Sequence, residues 1–129
     1  MLRKPIPVIL IVDDSTIVLD RMVQMIKELG ITHKVIYADS YQQALMQLEQ
    51  QRPDLAFFDI NLADGNGIDL LREVKKRYPQ TKSIMFTNHS NEYYKNLCIS
   101  LGAISFLDKS LDFDRIPEYI STLTPFKAA

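Results

Sequence analysis

Apolar residues along this chain switch repeatedly between two spacings. Val8–Val12 is an unbroken run rich in β-branched residues, which predicts a strand covered on both faces. Val18, Met22, Met25, Ile26 and Leu29 then recur at helical spacing, and Gly30 supplies the stop. Residues 34–37 read as a short second strand. Ser40 is an N-cap candidate with Gln43 at capping-box spacing, ahead of Ala44, Leu45 and Leu48, and Pro53 ends this second helix. A third strand, Leu55–Phe58, stops at Asp59, and residues 61–67 read as loop. Ile68, Leu71 and Val74 predict a third helix with Lys75, Lys76 and Arg77 in its last turn, where cations suit the helix dipole. A fourth strand over 83–86 ends at Thr87, and a fourth helix spans 92–101, its pattern diluted by Tyr93, Tyr94, Asn96 and Ser100. A fifth strand over 103–107 leads to Asp108 and Lys109. Ile116, Ile120 and Leu123 mark a fifth helix, with Pro117 in its first turn.

Strands alternating singly with helices predict an α/β fold, a doubly wound parallel sheet of five strands with helices on both faces. In such sheets ligands bind at the carboxyl ends of the strands, where strand order reverses. At 129 residues the chain reads as one domain, residues 1–129 with a core over about 6–123. A formal net charge of −1 leaves no basic footprint for nucleic acid or anionic lipid. A single cysteine, Cys98, excludes an internal disulfide and fits a reducing compartment. The residues after Met1 loosely mimic a secretion signal, but the apolar run contains Pro7 and ends at Asp13-Asp14 instead of a small-residue cleavage site. No run approaches the ~18 apolar residues of a membrane helix. These features point to a cytoplasmic protein with no membrane insertion and no direct nucleic-acid binding.

The strand ends carry the chemistry. Asp13 and Asp14 follow the first strand, Asp59 the third, Thr87 ends the fourth and Lys109 follows the fifth. The predicted sheet gathers all five on one edge. Three neighbouring carboxylates disfavour shared ionisation and need a proton or a cation. Oxygen donors, with no cysteine or histidine placed to coordinate, favour Mg²⁺ over zinc. A carboxylate beside such an ion can attack phosphorus, with Lys109 and Thr87 binding the remaining phosphoryl oxygens. Taken singly, each residue has a plainer reading. Asp13 and Asp14 can cap the first helix, Asp59 can open a turn, Thr87 can be an N-cap and Lys109 a solvated lysine.

The stretches Ile9-Leu10-Ile11-Val12-Asp13-Asp14-Ser15, Pro53-Asp54-Leu55, Phe58-Asp59-Ile60-Asn61-Leu62, the strand ending at Thr87, Leu101-Gly102-Ala103 and Phe106-Leu107-Asp108-Lys109 resemble a response-regulator receiver domain in both order and spacing. The resemblance implies a flavodoxin-like fold with strand order 2-1-3-4-5. It implies that Asp59 is a phospho-acceptor supplied by a histidine kinase or histidine phosphotransfer protein. It further implies that Asp13, Asp14, Asp59 and the backbone carbonyl of Asn61 hold Mg²⁺, with Mn²⁺ able to substitute. Thr87 and Lys109 would bind the phosphoryl group. Phe106 would be an aromatic switch that turns inward when Thr87 moves, altering the face formed by the fourth helix, fifth strand and fifth helix for an output protein. Such a domain is a self-phosphorylating switch and not a turnover enzyme.

Three positions depart from the common pattern, and a fourth is a site of variation in the family. Ser110 stands where many receivers carry a cis proline, and we expect a trans bond there. Ala63 replaces a usual loop proline. Asn88 follows Thr87 where a small residue is usual, and His89 occupies a position that modulates dephosphorylation. Cys98 and His33 read as structural residues. Two other functions remain open from the residues: an aspartyl-nucleophile phosphatase, disfavoured because Asn61 stands where its second acid belongs, and a phosphorylation-independent interaction module on the same fold. Only residues 124–129 follow the fifth helix, so no effector domain is expected within this chain. It then reads as a stand-alone receiver or as part of a longer protein.

Overall fold

The computed structural model describes residues 6–30 and 33–123. Its elements are β1 (Val8–Val12), α1 (Thr16–Glu28), β2 (Lys34–Ala38), α2 (Tyr41–Gln51), β3 (Leu55–Phe58), β4 (Asn61–Leu62), β5 (Gly65–Asn66), α3 (Gly67–Arg77), β6 (Lys82–Thr87), α4 (Glu92–Ser100), β7 (Ser105–Asp108), a 3-10 turn (Phe113–Arg115) and α5 (Ile116–Ser121). A parallel five-stranded sheet has the order β2-β1-β3-β6-β7. Since β6 and β7 are the fourth and fifth predicted strands, this is the expected order. The reversal lies at β1, between β2 and β3.

The central strands β1, β3 and β6 bury both faces because helices cover both, while the edge strands β2 and β7 are partly exposed. Leu10, Val12, Phe58 and Met85 pack with Leu48, Leu71, Val74 and Cys98 under α2, α3 and α4. Ile9, Ile11, Phe57, Ile84 and Leu107 pack with Leu19, Met22, Ile26, Ile116 and Ile120 under α1 and α5. Each such aliphatic or aromatic side chain contributes about 1.5–3 kcal/mol of transfer free energy. Cys98 is fully buried here, as expected of a packed residue.

Side-chain caps start the four long helices. Ser15 Oγ accepts from Val18 N at 3.3 Å and Ser40 Oγ from Gln43 N at 3.1 Å. Asn66 Oδ1 accepts from Asp69 N and Asn91 Oδ1 from Tyr94 N, both at 2.9 Å. Each cap is worth about 1 kcal/mol. Their positions overturn two of the plainer readings: Ser15 and not Asp13 or Asp14 caps α1, and Asn91 and not Thr87 caps α4.

Several boundaries differ from expectation. The loop over 61–67 contains the two-residue antiparallel pair β4–β5, too short to leave an alternating pattern. The last strand is displaced toward Asp108, because Ala103 N donates to Cys98 O and belongs to the end of α4. The last helix stops at Ser121, leaving Leu123 partly buried beyond it. Gln43 reaches back to Asp39 N at 3.0 Å instead of to its own N-cap residue. There is no cis peptide bond among the described residues, so Lys109–Ser110 is trans. No described helix is long and apolar enough to cross a membrane.

Candidate functional site

Strand register places the site. Val12 lies opposite Phe58 in β1 and β3, so the next residues, Asp13 and Asp59, emerge side by side. Main-chain bonds pin the exits: Asp13 N to Ala38 O at 3.0 Å, Asp59 N to Val12 O at 3.1 Å and Lys109 N to Thr87 O at 3.0 Å. Gly67 is required by a close approach, since a Cβ there would meet the Asp59 carbonyl oxygen at 2.0 Å.

Lys109 joins the two buried acids. Its Nζ lies 2.6 Å from Asp13 Oδ2 and 2.8 Å from Asp59 Oδ2. Asp13 is 2% and Asp59 7% exposed, while Asp14 is exposed at the rim. Asp13 Oδ1 also accepts from Ser15 N at 2.8 Å. Burial pushes the Asp13 carboxyl above its ordinary value, against the hydrogen bonds from Lys109 and Ser15. Burial alone would lower the Lys109 ammonium, but hydrogen bonds and attraction from Asp13 and Asp59 outweigh it and hold its pKa above the ordinary value. Lys109 is therefore a lasting positive charge.

One carboxylate oxygen from each of Asp13, Asp14 and Asp59 lies within 4.8 Å of the others. Three carboxyl groups face a single ammonium, so the formal charge of the cluster is in excess on the negative side. An all-oxygen donor set with that excess fits a hard divalent cation, so the cluster can hold a metal ion.

Thr87 is wholly buried at the end of β6, and its Oγ1 accepts from His89 N at 3.2 Å. Among the described residues no hydrogen bond joins its side chain to Asp59. His89 Nε2 lies 2.6 Å from Asn61 Nδ2, linking the two loops that flank Asp59, and Asn88 is exposed beside it. Phe106 already lies inward, 9% exposed, packed with Met85, Cys98 and Ala103. It floors a cavity of about 340 Å³ also lined by Ser90, Lys95 and Leu111.

Two acids near the site carried no warning in sequence. The Asp108 carboxylate accepts from Ser90 Oγ, from Ser110 N at 2.7 Å and from Leu111 N at 3.1 Å. It ties the loop after β6 to the turn after Lys109, and these bonds, that from Ser90 foremost, hold its carboxyl below the ordinary range. The Asp64 carboxylate accepts from Tyr41 N at 2.7 Å and Gln42 N at 3.1 Å. Before Gly65 it signals only a turn, because its partners lie more than twenty residues away.

Comparison with known proteins identifies the family. The response regulator receiver domain family matches over residues 9–121. The acid tolerance regulatory protein ActR of Rhizobium meliloti is 30% identical over 108 residues, 84% of this chain and 55% of that protein. The sensory transduction protein LytT of Bacillus subtilis is 29% identical over 120 residues, 92% of this chain and 47% of that protein. The chain thus spans about half the length of these curated relatives. A CheY-like response regulator receiver domain protein from Methanospirillum hungatei superposes with a TM-score of 0.82 at 31% identity, covering 91% of this chain and 92% of that one. The receiver domain of a LuxO-type repressor from Vibrio parahaemolyticus gives 0.84 at 26%, covering 91% and 88%. The chain is a response regulator receiver domain and belongs to the signalling family of two-component systems.

Proposed function

We propose that Asp59 accepts a phosphoryl group from a phosphohistidine on a histidine kinase or histidine phosphotransfer protein. The observation that carries this reading is the Lys109 ammonium bridging buried Asp13 and Asp59. Lys109 engages Asp59 Oδ2, leaving Oδ1 as the nucleophile. The new bond joins Oδ1 to phosphorus. The phosphorus–nitrogen bond of the donor breaks, and its electron pair returns to the imidazole. Asp13, Asp14, Asp59 and the Asn61 carbonyl would hold Mg²⁺, or Mn²⁺ in its place, and the bound ion would supply charge neutralisation for the phosphoryl group. Lys109 pairs with one phosphoryl oxygen, and Thr87 leaves the His89 amide to donate to another.

Phosphorylation adds about −1.5 to −2 charge and three acceptor oxygens. Drawing Thr87 toward that charge pulls the following loop, which carries Ser90 and its bond to Asp108. Phe106 packs deeper into the space Thr87 vacates. The α4–β7–α5 face then changes shape for an output protein, as a shift between two populations separated by a few kcal/mol. Asn88 and His89, at the rim, set the phosphoryl lifetime. The domain works as a switch, without turnover of a free substrate.

The test is intact mass after incubation with Mg²⁺ and a small acyl phosphate. Wild type gains one phosphoryl mass, while Asp59→Asn, or wild type in EDTA, gains none. An unchanged wild-type mass would overturn the reading in favour of a phosphorylation-independent interaction module.

A further inference from the structure

We infer that Asp64 is a positioning residue for the divalent-cation site, acting through the loop that carries Asn61; this rests on the Mg²⁺-dependent reading above. The first N–H groups of a helix lack partners within it. In α2, Ser40 Oγ takes that of Gln43, while Asp64 takes those of Tyr41 and Gln42. The Tyr41 N–H, followed by that of Gln42, lowers the Asp64 carboxyl from its ordinary value. A carboxylate at the positive end of α2 is favoured by the helix dipole as well.

Asp64 sits at the tip of the β4–β5 pair, in which Asn61 faces Asn66 and Leu62 faces Gly65. A pair this short does not hold its own shape in water. The base of the loop is fixed by Gly67 N donating to Ile60 O at 2.8 Å and by the close approach of Gly67 to Asp59. The tip is fixed by Asp64 on α2, with Gly65 against the Tyr41 ring, where a Cβ would meet ring atoms at 2.9 Å. Pinned at both ends, the Asn61 carbonyl keeps a set place relative to Asp59. Mg²⁺ tolerates little departure from octahedral geometry, so a loosened ligand loop weakens binding.

Ser40 separates positioning from simple capping, because its side chain caps the same helix turn and, among the described residues, has no hydrogen bond to the loop. The experiment titrates Mg²⁺ alone by calorimetry into wild type, Asp64→Ala, Asp64→Asn and Ser40→Ala, with thermal melts in EDTA alongside. Asp64→Ala weakens Mg²⁺ binding at least fivefold. Ser40→Ala lowers the melting temperature comparably and keeps the wild-type Kd within twofold. Asp64→Asn, which loses the charge but keeps an oxygen for Tyr41 N–H, recovers most of the affinity. An Asp64→Ala Kd within twofold of wild type overturns the inference while leaving the receiver reading intact. So does equal weakening by Ser40→Ala, which would assign the effect to α2, or by Asp64→Asn, which would assign it to charge. Absence of Mg²⁺ binding in wild type overturns the metal reading itself, and this inference with it.

Discussion

The two edges of the sheet treat their polar groups in opposite ways. At the amino edge, three polar side chains find protein partners, although Ser83 Oγ near the start of β6 is buried without one. Asp54 Oδ2 accepts from Val8 N at 2.8 Å, Thr81 Oγ1 donates to Pro53 O at 2.6 Å, and Tyr78 donates its hydroxyl to Glu49 at 2.7 Å. At the carboxyl edge, Asp13 and Asp59 are buried, share one ammonium and leave excess negative charge. The same strands thus pair their charged groups at one edge and leave an excess of negative charge at the other. The proposed phosphoryl chemistry falls at the edge whose charges are incompletely matched.

The largest effect expected is at Lys109. Lys109→Met keeps the stem and removes the charge from two buried acids. It should cost about 3–5 kcal/mol in EDTA, as when one partner of a buried pair is deleted. Urea unfolding measures this, and added Mg²⁺ should recover part of the loss. An equal loss with and without Mg²⁺ would break the contrast between the edges. At the amino edge, Thr81→Val strands the Pro53 carbonyl and should cost about 1–2 kcal/mol, with no response to Mg²⁺ in the same titration.

Smaller and subtler are the pH slopes, which should differ in sign. The Asp13 carboxyl is raised by burial, so its contribution to stability is complete at low pH and is lost as pH rises through its folded-state value. Glu49 is lowered, chiefly by the Tyr78 hydroxyl, then by Arg52, so its contribution is present above the ordinary glutamate range and is lost as pH falls through the lowered value. In EDTA, Asp13→Asn should flatten the decline of stability with rising pH. Glu49→Gln should reduce acid sensitivity below the ordinary glutamate range. Melting temperatures between pH 3 and 7 (about the span of ordinary and shifted carboxyls) read both, and slopes changing in the same direction would refute the distinction.

The candidate site was legible in sequence because parallel strands end on a common edge and four of the five carried a polar group at or just past that end: Asp13, Asp59, Thr87 and Lys109. Phe106 was legible as a candidate only through the family resemblance, and its burial comes from a cluster that includes Met85 and Cys98. Asp64, Asp108 and Ser90 were not legible as clamps. A carboxylate reads alike in sequence whether it meets water or a helix N-terminus brought in from elsewhere in the chain.

What the amino-acid order determined by itself was local and periodic. It set which segments form the five long strands and the five helices, where Ser40 starts the second helix, and which residues end each strand. Hydrophobic periodicity and capping act within a few residues, so they survive in a one-dimensional reading. Tertiary structure alone decided that Lys109 bridges two acids, that His89 meets Asn61 across Asp59, and that Asp64 bolts its loop to α2. Those contacts join residues 22 to 96 positions apart, and only the closed sheet brings their partners within hydrogen-bonding distance.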